Sequence, residues 1–277
     1  MIRGAAVADA FYPADKEVLS GQVEAMLARA KVSEQLKDAI SFVAPHAGYN
    51  YSGAIAAYAY NAVALQSKAR KIDTYVIIGP NHTGMGEPIA VSKQDWRTPL
   101  GIVKNDAELA NQIISASPSI TADEEAHMEE HSIEVQLPFL QSVVASPRCV
   151  FICMGRQSYD LSYELAMAIG KAEQKLKRNV TVIASSDMNH YESAETAGSK
   201  DMPALRAIER LEAKQFHELI KKSHDSACGY GPMAVSALFG FDHGARKGVL
   251  LKYGNSGEET GDYKSVVAYA SMAFVPA

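Results

Sequence analysis

Cysteine is scarce in this chain: of 277 residues only Cys149, Cys153 and Cys228 carry a thiol, and their number and spacing frame no disulfide scaffold. Reduced thiols of this kind point to a cytoplasmic setting. Positive charge is not in excess either. The 27 Lys and Arg against 32 Asp and Glu leave a net charge of −5, which argues against a nucleic-acid partner bound through its phosphates. The N-terminal stretch has no basic segment leading into a long apolar one, and no apolar run anywhere reaches the length of a membrane span, so neither secretion nor membrane insertion is expected. Also missing are a GxGxxG turn after the first strand, a GxxxxGK[ST] loop and a GxSxG elbow. Nucleotide binding and α/β-hydrolase chemistry therefore lack their local machinery. With no internal repeat and no linker rich in Pro, Gly and Ser, residues 1–277 read as one domain.

What is present is hydrophobic periodicity over a chain whose 47% hydrophobic content is ample for a buried core. Helical spacing predicts helices over 15–30, 54–65, 106–115, 132–144 and 158–176, with three more over 202–211, 213–222 and 233–239. Between them lie apolar strands at 42–43, 74–78, 149–155 and 180–184, and two further strands, GVLLKY and SVVAYASMAFV, close the chain. Strands alternating with helices imply a three-layer α/β domain whose central sheet is largely parallel, or mixed because the last two strands are neighbours in sequence.

Three apolar runs stop at a histidine: SFVAPH at His46, YVIIGPNH at His82 and VIASSDMNH at His190. Strands that end this way deliver imidazoles to one rim of an α/β sheet, where such folds bind ligands. Asp187, three residues before His190, offers a carboxylate to the same rim, and the pair suits acid–base work. The alternative for this segment is a helix cap at Asp187 with His190 merely exposed. Cys228, in SACGYGPM before an apolar helical stretch, could bring a thiolate there, since a helix N-terminus stabilises negative charge and lowers a thiol pKa. An ordinary buried thiol is the competing reading. Two imidazoles and a thiolate suggest a metal ion.

His127 and His131 are four apart in EAHMEEHSIEVQLPFL, a spacing that also occurs in zinc sites, but no Glu follows the first histidine as in a zinc-protease helix. His131 alone is kept as a candidate, a hydrogen-bond donor to substrate or an orienting residue, with Glu130 and Glu134 as its own orienters. Cys149 and Cys153 read as core. His217, His224 and His243 sit in charged contexts without ligand spacing and are expected on the surface.

Taken in order, APHAGYNYSG, GPNH, DWRTPLG from Asp95, EEHSIEVQLPFL, SSDMNHY and CGYGP resemble the Memo family nearly end to end. That family is similar to the LigB-type extradiol dioxygenases, non-haem iron enzymes with an α/β fold. The resemblance implies that His46, His82 and Cys228 hold one metal ion, either divalent or redox-active (iron, copper or zinc), while Asp187 and His190 line the same cavity. His190 as acid–base with Asp187 assisting, and His131 beside them, are the expected catalytic residues. A thiolate stands where the dioxygenases use a glutamate, and it suits copper or zinc at least as well as iron. The implied activity is that of a metal-dependent oxidoreductase-like enzyme. A non-catalytic protein that binds a metal, small ligand or peptide, and a metal-assisted hydrolase, remain the alternatives. The expected partner is a small-molecule substrate or a peptide, and the resemblance implies a functional link to an AMMECR-like protein and a radical SAM enzyme.

Overall fold

The computed structural model describes residues 1–277. Four strands, Arg148–Met154, Thr74–Pro80, Val180–Ser185 and Ser41–Ala44, lie side by side and all parallel, with Ile78 opposite Ala184 and Ala44 opposite Ser185. Side chains alternate along them. Val43, Val76, Ile78, Val150, Ile152 and Val182 face one apolar cluster, and Phe42, Ile77, Phe151 and Ile183 face another, so both sides of the sheet are buried. Helices Lys16–Arg29, Ala54–Ala69 and Leu137–Val143 cover the second face. Ala107–Ser115, Tyr159–Leu176, Ala194–Glu209, Ala213–Ser223 and Tyr230–Asp242 cover the first. Three layers and a parallel centre agree with the sequence pattern.

The sheet is mixed at its edges. Val266–Val275 runs antiparallel to Ser41–Ala44, to Lys247–Asn255 and to Asp187–Glu192. Three short strands, Ile89–Ser92, Asp95–Thr98 and Gly101–Asn105, extend the other side, and none was legible in the sequence, since each is too short to show a clear period. No helix is long and apolar enough to cross a membrane.

Three expectations need correction. The helix foreseen over 132–144 is a 3-10 turn at Glu134–Gln136 followed by an α-helix only from Leu137 to Val143. Ser132 commits its N–H to the Glu130 carboxylate and its hydroxyl to the Pro80 carbonyl, which holds the chain out of helix, and Pro138 fits only a first helical turn. Asp187 and His190 do not end the third site-bearing strand: that strand stops at Ser185, and the chain re-forms as Asp187–Glu192 against Val266–Val275 with two register breaks. His217, expected on the surface, is only 2% exposed. It shares the inward face of its helix with Ala213, Phe216 and Ile220, between the rings of Tyr159 and Tyr230.

Neither ring nitrogen of His217 has a hydrogen-bond partner, and burial pulls its pKa down to about 4. The unfolded imidazole takes its proton near pH 6.5, so stability is lost as pH falls from 6.5 through 4. The full shift is worth on the order of 3 kcal/mol. His217→Phe should therefore be at least as stable as the parent at pH 7.5 and clearly more stable at pH 5. Urea melts at the two pH values check this, and a parallel loss at both would contradict it.

Candidate metal centre

The parallel strands end together, so the turns after Ala44, Pro80 and Ser185 open onto one rim. Pro45 and Pro80 stiffen the chain just before His46 and His82 arrive. A cavity of about 550 Å³ lies there, lined by His46, His82, His131, Asp187, His190 and Cys228 with Phe11, Tyr191 and Val267 as its apolar wall. All six side chains singled out from the sequence meet in it. A larger groove of about 670 Å³ lies elsewhere, between Tyr159, Leu211, Leu238 and Phe241, and holds no cluster of ligating groups.

One ligand atom each from His46, His82 and His131 lies within 4.8 Å of the other two, a set that can hold a metal ion. The rings of His82 and His131 stack at 4.4 Å, and His46 meets them edge-on at 5.1 and 5.4 Å. Cys228 stands beside this trio, its Sγ 3.1 Å from His46 Nε2. The group that converges is thus three imidazoles, with the thiol next to one of them. His131 belongs to it directly, rather than only orienting others.

Glu130 builds the floor. Fully buried, it accepts from the His82 N–H at 2.5 Å, from His82 Nδ1 at 2.9 Å and from the Ser132 N–H at 2.8 Å, and it lies 3.5 Å from His131 Nδ1. Because the carboxylate takes the Nδ1 hydrogen of His82, the Nε2 lone pair is left for a ligand. Burial pushes the Glu130 pKa up, but the hydrogen bonds from His82 and Ser132 prevail and hold it down at about 2. Glu134 does not orient His131. It accepts from Arg3, from the N–H groups of Ala6 and Val7, and from the Tyr12 hydroxyl, which ties down the N-terminal segment. His127 also turns away, buried beside Trp96 with its Nε2 on the Ala90 carbonyl.

Burial and the neighbouring imidazoles keep the His46 pKa well below its usual range, and burial brings His131 to about 4. Neutral rings are what a metal ion requires of histidine, and His46 and His131 are held in that form. Asp187 is buried, accepts from the His46 and Ala47 N–H groups at 2.7 and 3.3 Å, and has its pKa raised to about 7 by burial. His190 is half-buried. Its N–H donates to Ser226 Oγ at 2.8 Å, its Nδ1 is without a partner, and burial lowers its pKa.

The expected lowering of the Cys228 pKa by the following helix does not occur. Burial and the neighbouring Asp187 carboxyl raise the thiol well above its usual value, outweighing the Asp187 N–H that donates to Sγ at 3.3 Å. Gly229 sets the position of this loop: a Cβ there would strike the Ser185 carbonyl oxygen and lie 2.7 Å from Ser186 Cβ. Gly229→Ala should cost about 1–3 kcal/mol through that overlap and move Cys228 off the rim. Urea unfolding together with the rate of thiol modification measures both effects, and an unchanged pair of values would contradict this packing.

Fold and site together define a three-layer α/β protein with a histidine-walled rim cavity suited to a metal ion. The chain belongs to the Memo family: the family model described as Memo-like protein matches residues 3–273. A MEMO1 family protein of Methanocaldococcus jannaschii is 40% identical over 280 aligned positions, covering 98% of both chains. Those of Ignicoccus hospitalis and Methanopyrus kandleri are 39% and 40% identical, each covering 99% of both chains. A solved structure of an uncharacterized protein from Escherichia coli K12 shares the fold alone, with a TM-score of 0.53, 12% identity and coverage of 84% of this chain and 99% of that one.

Proposed function

We propose that the chain is a metal-dependent, oxidoreductase-like enzyme acting on a small molecule in the rim cavity. The observation that carries this reading is the convergence of His46, His82 and His131 at the cavity floor, with Cys228 at its edge. Nitrogen donors with an adjacent thiol suit iron, copper or zinc. When bound, such an ion supplies Lewis-acid or one-electron chemistry at that floor.

The protein's own groups supply the remainder. His190, neutral and half-exposed in the cavity wall, is placed to take a proton from a bound hydroxyl and return it. Asp187, with a pKa near neutrality, assists as a second proton-holding group and anchors the His46 turn through two backbone N–H groups. Phe11, Tyr191 and Val267 give the substrate an apolar wall and narrow the access of water. Tyr191 is held there on a left-handed backbone, φ +61°, although the residue is 78% exposed.

The test is turnover of a panel of catechols by metal-loaded protein, in air and without oxygen. Oxygen-dependent turnover that falls at least 100-fold, an amount within the range of acid–base contributions, in His190→Ala is the expected result. Equal turnover without oxygen would favour the hydrolytic reading. Bound metal with no turnover of any substrate would favour a binding protein.

A further inference from the structure

We propose that Ser185 is a positioning residue that fixes the hydrogen of His46 on Nδ1 and thereby turns the Nε2 lone pair into the cavity. The inference rests on the metal-binding reading of the cavity, which it deepens, but its first test needs no metal. The hydrogens around one buried oxygen fix the tautomer. Ser185 ends the Val180–Ser185 strand, and its hydroxyl has no exposure to solvent. Three polar groups reach its Oγ: the Ser132 carbonyl at 2.6 Å, Gln136 Nε2 at 2.8 Å and His46 Nδ1 at 2.8 Å.

A carbonyl oxygen can only accept, so the single hydroxyl hydrogen of Ser185 goes to Ser132. Gln136 can only donate through its nitrogen, and the orientation of its amide is settled independently. The same Nε2 lies 2.9 Å from the Pro45 carbonyl, where the amide oxygen would face another acceptor, while Oε1 takes the Tyr60 hydroxyl at 2.9 Å. Both hydrogens of the Gln136 amide are thereby assigned. One lone pair of Ser185 Oγ remains, and His46 Nδ1 must fill it as a donor.

The neutral ring of His46 therefore carries its hydrogen on the side away from the cavity. Its Nε2, 3.1 Å from Cys228 Sγ, is an acceptor for the thiol hydrogen or for a ligand. Glu130 does for His82 what Ser185 does for His46, so two of the three converging imidazoles are preset by partners from different parts of the chain. Ser185, Ser132, Gln136 and His46 are each at most 2% exposed, so no water competes for these bonds. The tetrad costs nothing in unmet hydrogen bonds. A reversed His46 would leave the Ser132 carbonyl without its short partner.

The direct test is long-range ¹H–¹⁵N correlation of the histidine rings in metal-free parent protein at pH 8. His46 should show a protonated-type Nδ1 and an unprotonated-type Nε2. The opposite assignment overturns the proposal and needs no variant that must fold. Ser185→Ala should lose the fixed pattern and mix the two tautomers, whereas Ser185→Thr, which keeps the hydroxyl, should restore it.

Zinc(II) titration of the same proteins gives the second readout. Affinity should fall about 10–100-fold in Ser185→Ala, the usual cost of removing such a partner, and recover in Ser185→Thr. Equal affinity in all three proteins would overturn the positioning role. Parent protein with the expected ring pattern but no zinc binding would instead sink the metal-binding reading and leave the tautomer assignment intact.

Discussion

Arg3→Ala is expected to lower the unfolding free energy by about 3–5 kcal/mol, the range for breaking one side of a buried ion pair. Arg3 is 7% exposed and its guanidinium donates to the Glu134 carboxylate at 2.6 Å, the His127 carbonyl at 2.6 Å and the Glu130 carbonyl at 2.8 Å, while it lies 4.0 Å over the Trp96 ring. Truncation removes every one of these contacts and leaves a buried carboxylate short of its counter-charge. The three remaining donors to Glu134, from Ala6, Val7 and Tyr12, soften the loss without replacing it. Urea melts of the single variant and of Arg3→Ala combined with Glu134→Gln decide the matter. The combined variant should lose less than the sum of the two single changes, because the unpaired charge is gone. A loss under 1 kcal/mol in Arg3→Ala, an amount typical of surface pairs, would show that the pair contributes little.

The second large effect is expected at Glu130. Replacing this carboxylate by an amide in Glu130→Gln puts a donor where His82 presents two hydrogens and Ser132 a third, so at least one bond must turn repulsive. The ring of His82 then loses its fixed orientation, and His131 loses the nearby negative charge that lies 3.5 Å from its Nδ1. Zinc(II) affinity should weaken by about 10–100-fold. Isothermal titration measures this directly. A variant that folds normally and binds zinc as tightly as the parent would remove Glu130 from the account of the site.

Much of this was legible beforehand, for identifiable reasons. Val76, Ile77 and Ile78 are flanked by turn residues, and a β-branched run of that kind can only be a buried strand. It therefore placed His82 at a rim, and the same logic placed His46. The role of His131 was harder to read because Pro138 and Ser132 interrupt the helical period on which the expectation rested. Glu130 was read from the sequence as an orienter of His131, but its full burial beneath two imidazoles and its bonds to His82 were not legible in ADEEAHMEEH. No periodicity separates it from Glu129. Likewise, Ser185 and Gln136 have ordinary surroundings in sequence and acquire meaning only where two strand ends and a 3-10 turn meet. His217 was misplaced because its charged neighbours masked the inward face it shares with Phe216 and Ile220.

The measurement that bears most directly on the central claim is an anomalous-scattering map of crystals grown from protein never exposed to chelator or nickel resin. One ion is expected within bonding distance of nitrogen atoms from His46, His82 and His131, on the side that faces His190. A map with no ion at that rim, from protein that elemental analysis also finds free of metal, would contradict it.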